Sequence, residues 1–143
     1  MNLKKRKNDM RKITELTAKA FRAGLEMKMA NSYTDGKAYW LHGNKIFWKV
    51  EGTEYHYKGI YQFNMCSWGS PTTRERINGL LKTLELPYRI FQKNREQFLS
   101  CPNMTYKEMY IEDNKNVEVS QSYVKAITCA DNQVVQSVER TIV

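Results

Sequence analysis

The sequence predicts an α+β domain in which an N-terminal helix, an antiparallel meander sheet and one central amphipathic helix pack together. Three observations support this fold class. In residues 9–25 and 72–86, apolar residues recur every three or four positions, as on one face of a helix. Between residues 27 and 65 the period changes to two, and turn sequences separate the apolar runs. The length of 143 residues, with 41% hydrophobic and 12% aromatic residues, is typical of one globular domain.

The first helix is expected over residues 9–25. Gly24 is expected to end it, because glycine readily adopts the left-handed conformation found at helix C-termini. Apolar residues at spacings of three and four predict which side of this helix is buried. The residues of that expected face are Ile13, Leu16, Ala20 and Phe21.

The sheet is expected to come mostly from residues 27–66, extended by residues 88–112. Asp35-Gly36 and Gly43-Asn44 are typical of hairpin turns, since these residue types tolerate a positive φ. A second hairpin is expected across Asn94-Arg95. The expected strands span residues 37–42, 45–50, 54–65, 88–92, 97–100, 105–112 and, as a strand or a tail, 117–127.

The second helix, residues 72–86, is expected to pack on one face of this sheet. Thr72 and Glu75 have the T-x-x-E spacing of a capping box, which predicts Thr72 as the N-cap. Pro87 cannot continue a helix and is expected to end it. The apolar stripe expected to be buried consists of Ile77, Leu80, Leu81 and Leu84.

The net charge of +8 is distributed unevenly. Residues 1–28 contain nine basic and three acidic residues, whereas residues 108–143 contain three basic and six acidic ones. The chain is therefore expected to divide into a basic arm (residues 1–8), a single domain (residues 9–128) and a C-terminal tail of uncertain order (residues 129–143). Such a charge suits a polyanionic partner, although surplus lysine can also serve solubility alone.

Several classes of site are not indicated by the sequence. The three cysteines are widely spaced without a CxxC pair, which disfavours a disulfide framework or a zinc site and favours a reducing cytosol. The acidic residues are scattered, and no nucleophile motif accompanies the two histidines. We therefore expect no enzyme activity, no metal and no cofactor. No apolar run approaches the length of a membrane span, so no membrane partner is expected.

Two basic segments are the candidate anion-binding sites: the arm and the start of the second helix. Backbone N–H groups at a helix start attract anions, and arginine matches phosphate geometry. Alternatively, the arm is simply solvated and the helix arginines pair with carboxylates. Arg74 is expected to face the sheet, which leaves Arg76 as the freer side chain. The candidate residues for binding an anion or nucleic acid are Lys4, Lys5, Arg6, Lys7, Arg11, Lys12, Thr72, Thr73, Arg74 and Arg76.

Aromatic residues alternate with lysines in the predicted meander. An exposed aromatic row beside lysines can stack bases, as in sheets that bind single strands. One face of every strand must still be core, which is the competing explanation. The candidates for exposed aromatic positions are Tyr39, Trp48, Tyr57 and Trp68.

Three short stretches resemble a family of small bacteriophage proteins. They are the sequence KAFRAG at residues 19–24, YWLHGNKI at residues 39–46 and SWGSPTTRERIN at residues 67–78. The family pattern places the tryptophan after the glycine of the last stretch, whereas Trp68 precedes Gly69 here. The resemblance covers less than half of the chain. It implies a phage accessory protein and supplies no biochemical activity.

Together, these observations predict a non-enzymatic, phage-type accessory protein in the host cytoplasm. It is expected to bind a polyanion, either nucleic acid or a nucleotide. The alternative is an inhibitor of a host protein or a host defence complex, for example an anti-CRISPR-like protein, that acts by direct protein binding. The oligomeric state stays open.

Overall fold

A computed structural model describes residues 10–66, 70–101, 108–112, 114–127 and 134–139, and it confirms the α+β class. These residues form two helices, α1 (Lys12–Ala23) and α2 (Pro71–Thr83). The strands are β1 (Met27–Met29), β2 (Ser32–Thr34), β3 (Ala38–Leu41), β4 (Asn44–Lys49), β5 (Ile60–Phe63), β6 (Arg89–Lys93), β7 (Glu96–Ser100), β8 (Glu108–Ile111), β9 (Asn116–Ser120), β10 (Tyr123–Ile127) and β11 (Val134–Glu139).

The strands form two antiparallel sheets. The larger has the order β1-β2-β3-β4-β5-β9-β10-β11. Its first five strands form the expected meander, which has two more strands, β1 and β2, than the expected strand ranges included. The smaller has the order β6-β7-β8. The segments 54–65 and 117–127 differ from expectation, because only Ile60–Phe63 is a strand in the first and the second contains two strands. Within the expected tail, Val134–Glu139 pairs with β10.

The expected extension of the meander by residues 88–112 is wrong, since these residues form the smaller sheet. The edge of β5 is occupied by β9, with Tyr61 opposite Val119. The edge of β6 is occupied by α2, whose Asn78 amide nitrogen donates to the Ile90 carbonyl (2.9 Å) and whose amide oxygen accepts from the Ile90 N–H (2.7 Å). Neither edge is therefore left for the other sheet.

The hydrophobic core is continuous between the helices and both sheets. Phe47 lies at its centre, with its ring centroid 5.6 Å from that of Phe21 on α1 and 6.2 Å from that of Phe63 on β5. The expected burial of the apolar stripe of α2 is confirmed: Ile77, Leu80, Leu81 and Leu84 are all buried.

Helix α1 ends as expected, because Gly24 is its C-cap with φ of 75°. Its buried face is rotated from the expected one, since Ile13 and Leu16 are only half-buried. The buried residues are Thr14, Thr17, Ala18, Ala20 and Phe21. Two threonines can lie inside because their hydroxyls are satisfied there; that of Thr17, for example, is 2.7 Å from the Tyr39 hydroxyl.

Helix α2 begins earlier than expected, and Thr72 is not its N-cap. The N-cap is Ser70, whose Oγ accepts from the Thr73 N–H at 3.1 Å. Pro71 occupies the first helical position, where its missing N–H costs no hydrogen bond and its fixed φ suits a helix. Glu75 is therefore too far along the helix to form a capping box, and it is used elsewhere.

Candidate functional site

Arg76 is a buried structural residue, not a free surface cation. Only 2% of its surface is exposed. Its Nε donates to Ser32 Oγ at 3.0 Å, and its Nη1 donates to Thr14 Oγ1 at 2.9 Å. The same Nη1 makes an ion pair with the Glu75 carboxylate. The expectation that Arg76 is the freer arginine is wrong, because this guanidinium joins α2 to α1 and β2.

Glu75 connects the starts of the two helices. Its Oε1 accepts from the Thr14 hydroxyl at 2.6 Å, and its Oε2 accepts from the Arg11 N–H at 3.1 Å. Arg11 is the N-cap of α1 and supplies no side-chain cap of its own. A carboxylate there satisfies an unpaired N–H and complements the positive end of the helix dipole.

The start of α2 is therefore not the accessible anion site that the sequence suggested. Thr73 is buried, and its N–H is bonded to Ser70. Thr72 is half-buried. Arg74 does point toward a sheet, as expected, and its Nη1 donates to the amide oxygens of Gln92 (2.9 Å) and Gln97 (3.1 Å). Partial burial lowers the pKa of the Arg74 guanidinium, which nevertheless stays protonated at neutral pH.

Two adjoining depressions form a long groove across the helices and along β6. They measure about 840 and 820 Å³ and share Met10 and Lys82. We call them together the basic groove. Its charged lining consists of Lys19, Arg22, Arg74, Lys82 and Arg89, with the carboxylates Glu15 and Glu75.

The two carboxylates of the basic groove already have cationic partners. Glu75 pairs with buried Arg76, and Glu15 lies 3.1 Å from the Lys19 Nζ. Lys82, in the last turn of α2, has no acidic partner among the residues that the structure describes. Arg89 is exposed at the start of β6. Arg22 pairs with Glu85, which lies outside the lining. The lining itself carries three more cations than carboxylates.

The basic arm joins the domain at the basic groove. Met10 lines both depressions, and exposed Arg11 and Lys12 follow it at the start of α1. The arm cations Lys4, Lys5, Arg6 and Lys7 lie outside the described residues.

The four expected surface aromatics have different positions. Tyr39 is fully buried, so its assignment to the surface is wrong; its ring fills the core and its hydroxyl bonds to Thr17. Trp48 is half-buried, its Nε1 donates to Gln62 Oε1 (3.1 Å), and Lys45 Nζ lies 4.7 Å from its ring centroid. Tyr57 is 69% exposed. Trp68 lies outside the described residues.

A different row of aromatic side chains, not singled out from the sequence, crosses the smaller sheet. Phe91, Phe98 and Tyr110 stand directly opposite one another on β6, β7 and β8. Successive ring centroids are 5.7 and 5.6 Å apart. We call this set the aromatic row. The predicted hairpin across Asn94-Arg95 already places Phe91 opposite Phe98, which is the sequence signal that could have identified it.

Neither a metal-holding cluster nor a membrane-spanning helix occurs in the part of the chain that the structure describes. No group of three or more His, Cys, Asp or Glu side chains there could hold a metal ion. No helix there is long and apolar enough to cross a membrane.

Comparison with known proteins gives one family. Residues 10–130 match the family described as Kyanoviridae Gp96 protein, and because this is most of the chain, the chain belongs to that family. The resemblance to a bacteriophage family is thereby confirmed, while the three motifs as marks of the family stay a prediction. No curated protein and no solved structure matches the chain.

Proposed function

We propose that this phage protein is a non-enzymatic accessory protein that binds nucleic acid along the basic groove, in the cytoplasm of the infected host. The observation that carries the proposal is the charge of that groove, which is lined by five cationic side chains and two carboxylates. Both carboxylates are already paired with cations. A nucleic acid backbone supplies the regularly spaced negative charges that such a lining lacks.

The groove also has a suitable chemical composition and length. Three of its five cations are arginines, whose planar guanidinium matches phosphate geometry. It extends from α1 across α2 to β6 and so can follow several successive phosphates. A bound nucleotide alone would fill only part of it. Met10, which follows the arm in the sequence, lines both depressions, and the four arm cations are proposed to contact the same strand.

Charge reversal tests this proposal. The double variant Lys82→Glu/Arg89→Glu changes two groove cations that are exposed and lie outside the Arg76 network. Its matched control is Lys28→Glu/Lys37→Glu, which changes the net charge equally at two exposed lysines outside the groove. The measurement is fluorescence anisotropy of a labelled 20-nucleotide strand at 50–200 mM salt.

We expect the groove variant to weaken binding by at least about 10-fold and to flatten the dependence of log K on log salt, by up to about 0.7 for each lost phosphate contact on a single strand. The control should change affinity by less than about 2-fold. Equal losses in both variants would mean that only net charge matters and would refute the groove. Removal of residues 1–7 should also flatten the salt dependence without lowering thermal stability.

The second candidate function, inhibition of a host protein or defence complex, is supported by one surface feature. The connection between β4 and β5 presents Tyr55, 86% exposed, and Tyr57, 69% exposed. Tyrosine is enriched among the side chains that dominate protein–protein binding energy. If this is the function, nuclease-treated host lysate should yield a protein bound to the wild-type chain but not to Tyr55→Ala/Tyr57→Ala. That variant should keep its affinity for oligonucleotides.

A further inference from the structure

We propose that the aromatic row of Phe91, Phe98 and Tyr110 stacks unpaired bases, so that the preferred ligand is single-stranded nucleic acid. This inference rests on the proposed function, since it identifies the form of nucleic acid that the basic groove holds. The binding proposed for the basic groove gives no role to the outer face of the smaller sheet. This inference assigns one to it.

The register of the smaller sheet places the aromatic row on its outer face. Side chains alternate between the two faces of a strand. The neighbours Ile90, Leu99 and Met109 are all buried and belong to the hydrophobic core. Phe91, Phe98 and Tyr110 therefore face the other way; Tyr110 is 44% exposed, the two phenylalanines are half-buried, and none belongs to the core cluster.

The row has the layout of a stacking surface. The three rings lie on three adjacent antiparallel strands with centroids 5.6–5.7 Å apart; the planes of Phe91 and Phe98 differ by 22°, and Tyr110 is tilted by 60° from Phe98. Sheets that bind single-stranded RNA use two or three such rings, and each ring accepts one base on its face. Stacking of this kind tolerates any sequence, because every base has a π face. A duplex cannot use the row in the same way, since its bases are already stacked.

Two cations, Arg89 and Lys93, lie on β6 on the same face as Phe91, whereas the same face of β7 and β8 carries Glu96 and Glu108. Arg89 and Phe91 both line the basic groove, so the groove leads directly to the first ring. Lys93 Nζ lies 4.9 Å from the Phe98 ring centroid and 3.0 Å from Glu108 Oε1. That ion pair is exposed, and exposed pairs contribute little to stability. Lys93 can therefore exchange the Glu108 carboxylate for a phosphate when a base covers Phe98.

The competing explanation is that the three rings only stabilise the sheet through cross-strand contacts. Substitution by leucine distinguishes the two, because leucine keeps apolar contact across the strands and removes the π face. The test variant is Phe91→Leu/Phe98→Leu/Tyr110→Leu. The control is Tyr33→Leu, which removes one ring of a comparable pair, Tyr33 and Trp40, on the larger sheet. The probes are a labelled 12-nucleotide dT strand and a labelled 12-base-pair duplex.

We expect the wild type to prefer the dT strand. The triple variant should lose affinity for it by at least about 5-fold per ring that holds a base, with duplex affinity within about 2-fold of wild type and Tyr33→Leu unchanged on both probes. Photo-crosslinking with 5-iodouracil in the strand should label Phe91, Phe98 or Tyr110. If the triple variant does not fold, Tyr110→Leu alone, at the most exposed ring, should lower dT affinity by about 5-fold.

The two proposals fail in different ways. If the leucine variants bind the dT strand like wild type while Lys82→Glu/Arg89→Glu does not, the aromatic row has no role in binding and the basic groove stands. The same conclusion holds if the wild type binds the duplex as tightly as the strand. If the wild type binds neither probe at low salt, the proposed function is refuted and this inference with it.

Discussion

Replacement of Arg76 by methionine should be among the most destabilising changes in this protein. Methionine preserves the length and apolar stem of the side chain but removes every hydrogen bond of the guanidinium. Three acceptors lose a donor: Ser32 Oγ, Thr14 Oγ1 and the Glu75 carboxylate. Ser32 and Thr14 are fully buried, so water does not easily replace the lost donor.

The magnitude follows from the partners that remain. Glu75 keeps the Thr14 hydroxyl and the Arg11 N–H, and its side chain is 25% exposed, so part of its charge stays solvated. Thr14 keeps its bond to Glu75, which leaves Ser32 Oγ as the acceptor that depended most on Arg76. Breaking a buried ion pair from one side costs about 3–5 kcal/mol. The remaining contacts place this case near the lower end, at about 3 kcal/mol.

Urea unfolding followed by circular dichroism measures the effect. For a slope of about 1.5 kcal/mol/M, a loss of 3 kcal/mol lowers the unfolding midpoint by about 2 M. The matched control is Lys82→Met, which removes an exposed cation from the last turn of the same helix and should change stability by at most about 1 kcal/mol. Addition of Glu75→Gln to Arg76→Met should recover about 1 kcal/mol or more, because it removes the uncompensated charge and keeps an acceptor. A cost below 1 kcal/mol for Arg76→Met would refute the structural role of this arginine.

Three further outcomes test the core and the helix contact. Gly79→Ala should destabilise by about 1–3 kcal/mol although alanine favours helices, because its Cβ would lie 2.3 Å from Thr14 Cγ2; a more stable variant would contradict the close approach of the helices. Leu81→Ala should cost about 2–5 kcal/mol in the same urea assay, since Leu81 is fully buried, and a loss below 1 kcal/mol would contradict that burial. Burial raises the pKa of the Cys101 thiol to about 11, so iodoacetamide at pH 8 should label half-buried Cys66 well before Cys101 in the native protein, as measured by mass spectrometry.

Local patterns predicted most of the elements, because they depend on residues close in sequence. The period of α2 correctly identified its buried stripe, and Gly24 correctly marked the end of α1. Asn94 and Arg95 both have a positive φ in the structure, as a two-residue hairpin turn requires. The separation of the smaller sheet was not predictable in this way. It depends on the pairing of β5 with β9 and on the contact of Asn78 with Ile90, which join residues distant in sequence.

The candidate site was harder to predict, since charge in a sequence does not show which cations are already paired. Arg74 and Arg76 are two positions apart, and the sequence suggested that Arg76 would be the exposed one. Arg76 is buried instead, because Ser32 and Thr14 provide polar acceptors for it inside the fold, whereas Arg74 is half-buried. Nothing in the sequence indicates that Thr14 on α1 and Ser32 on β2 will surround a guanidinium. The aromatic row, in contrast, follows from register alone once the hairpin is placed.

Part of the positive charge of the basic groove is explained by helix stability alone. This explanation has to be tested separately from the binding of a ligand. Arg22 and Lys82 lie in the last turns of α1 and α2, where cations complement the negative end of the helix dipole. Arg22 also donates to the Thr83 carbonyl at 2.8 Å and pairs with Glu85, so it supports the fold in any case. Lys82 is therefore the informative position, since it has no acidic partner among the described residues. A dipole contribution at an exposed site is at most about 1 kcal/mol. If Lys82→Glu lowers stability by that amount and leaves affinity for a strand unchanged, the dipole accounts for the lysine. If affinity falls while stability stays within that limit, a ligand accounts for it.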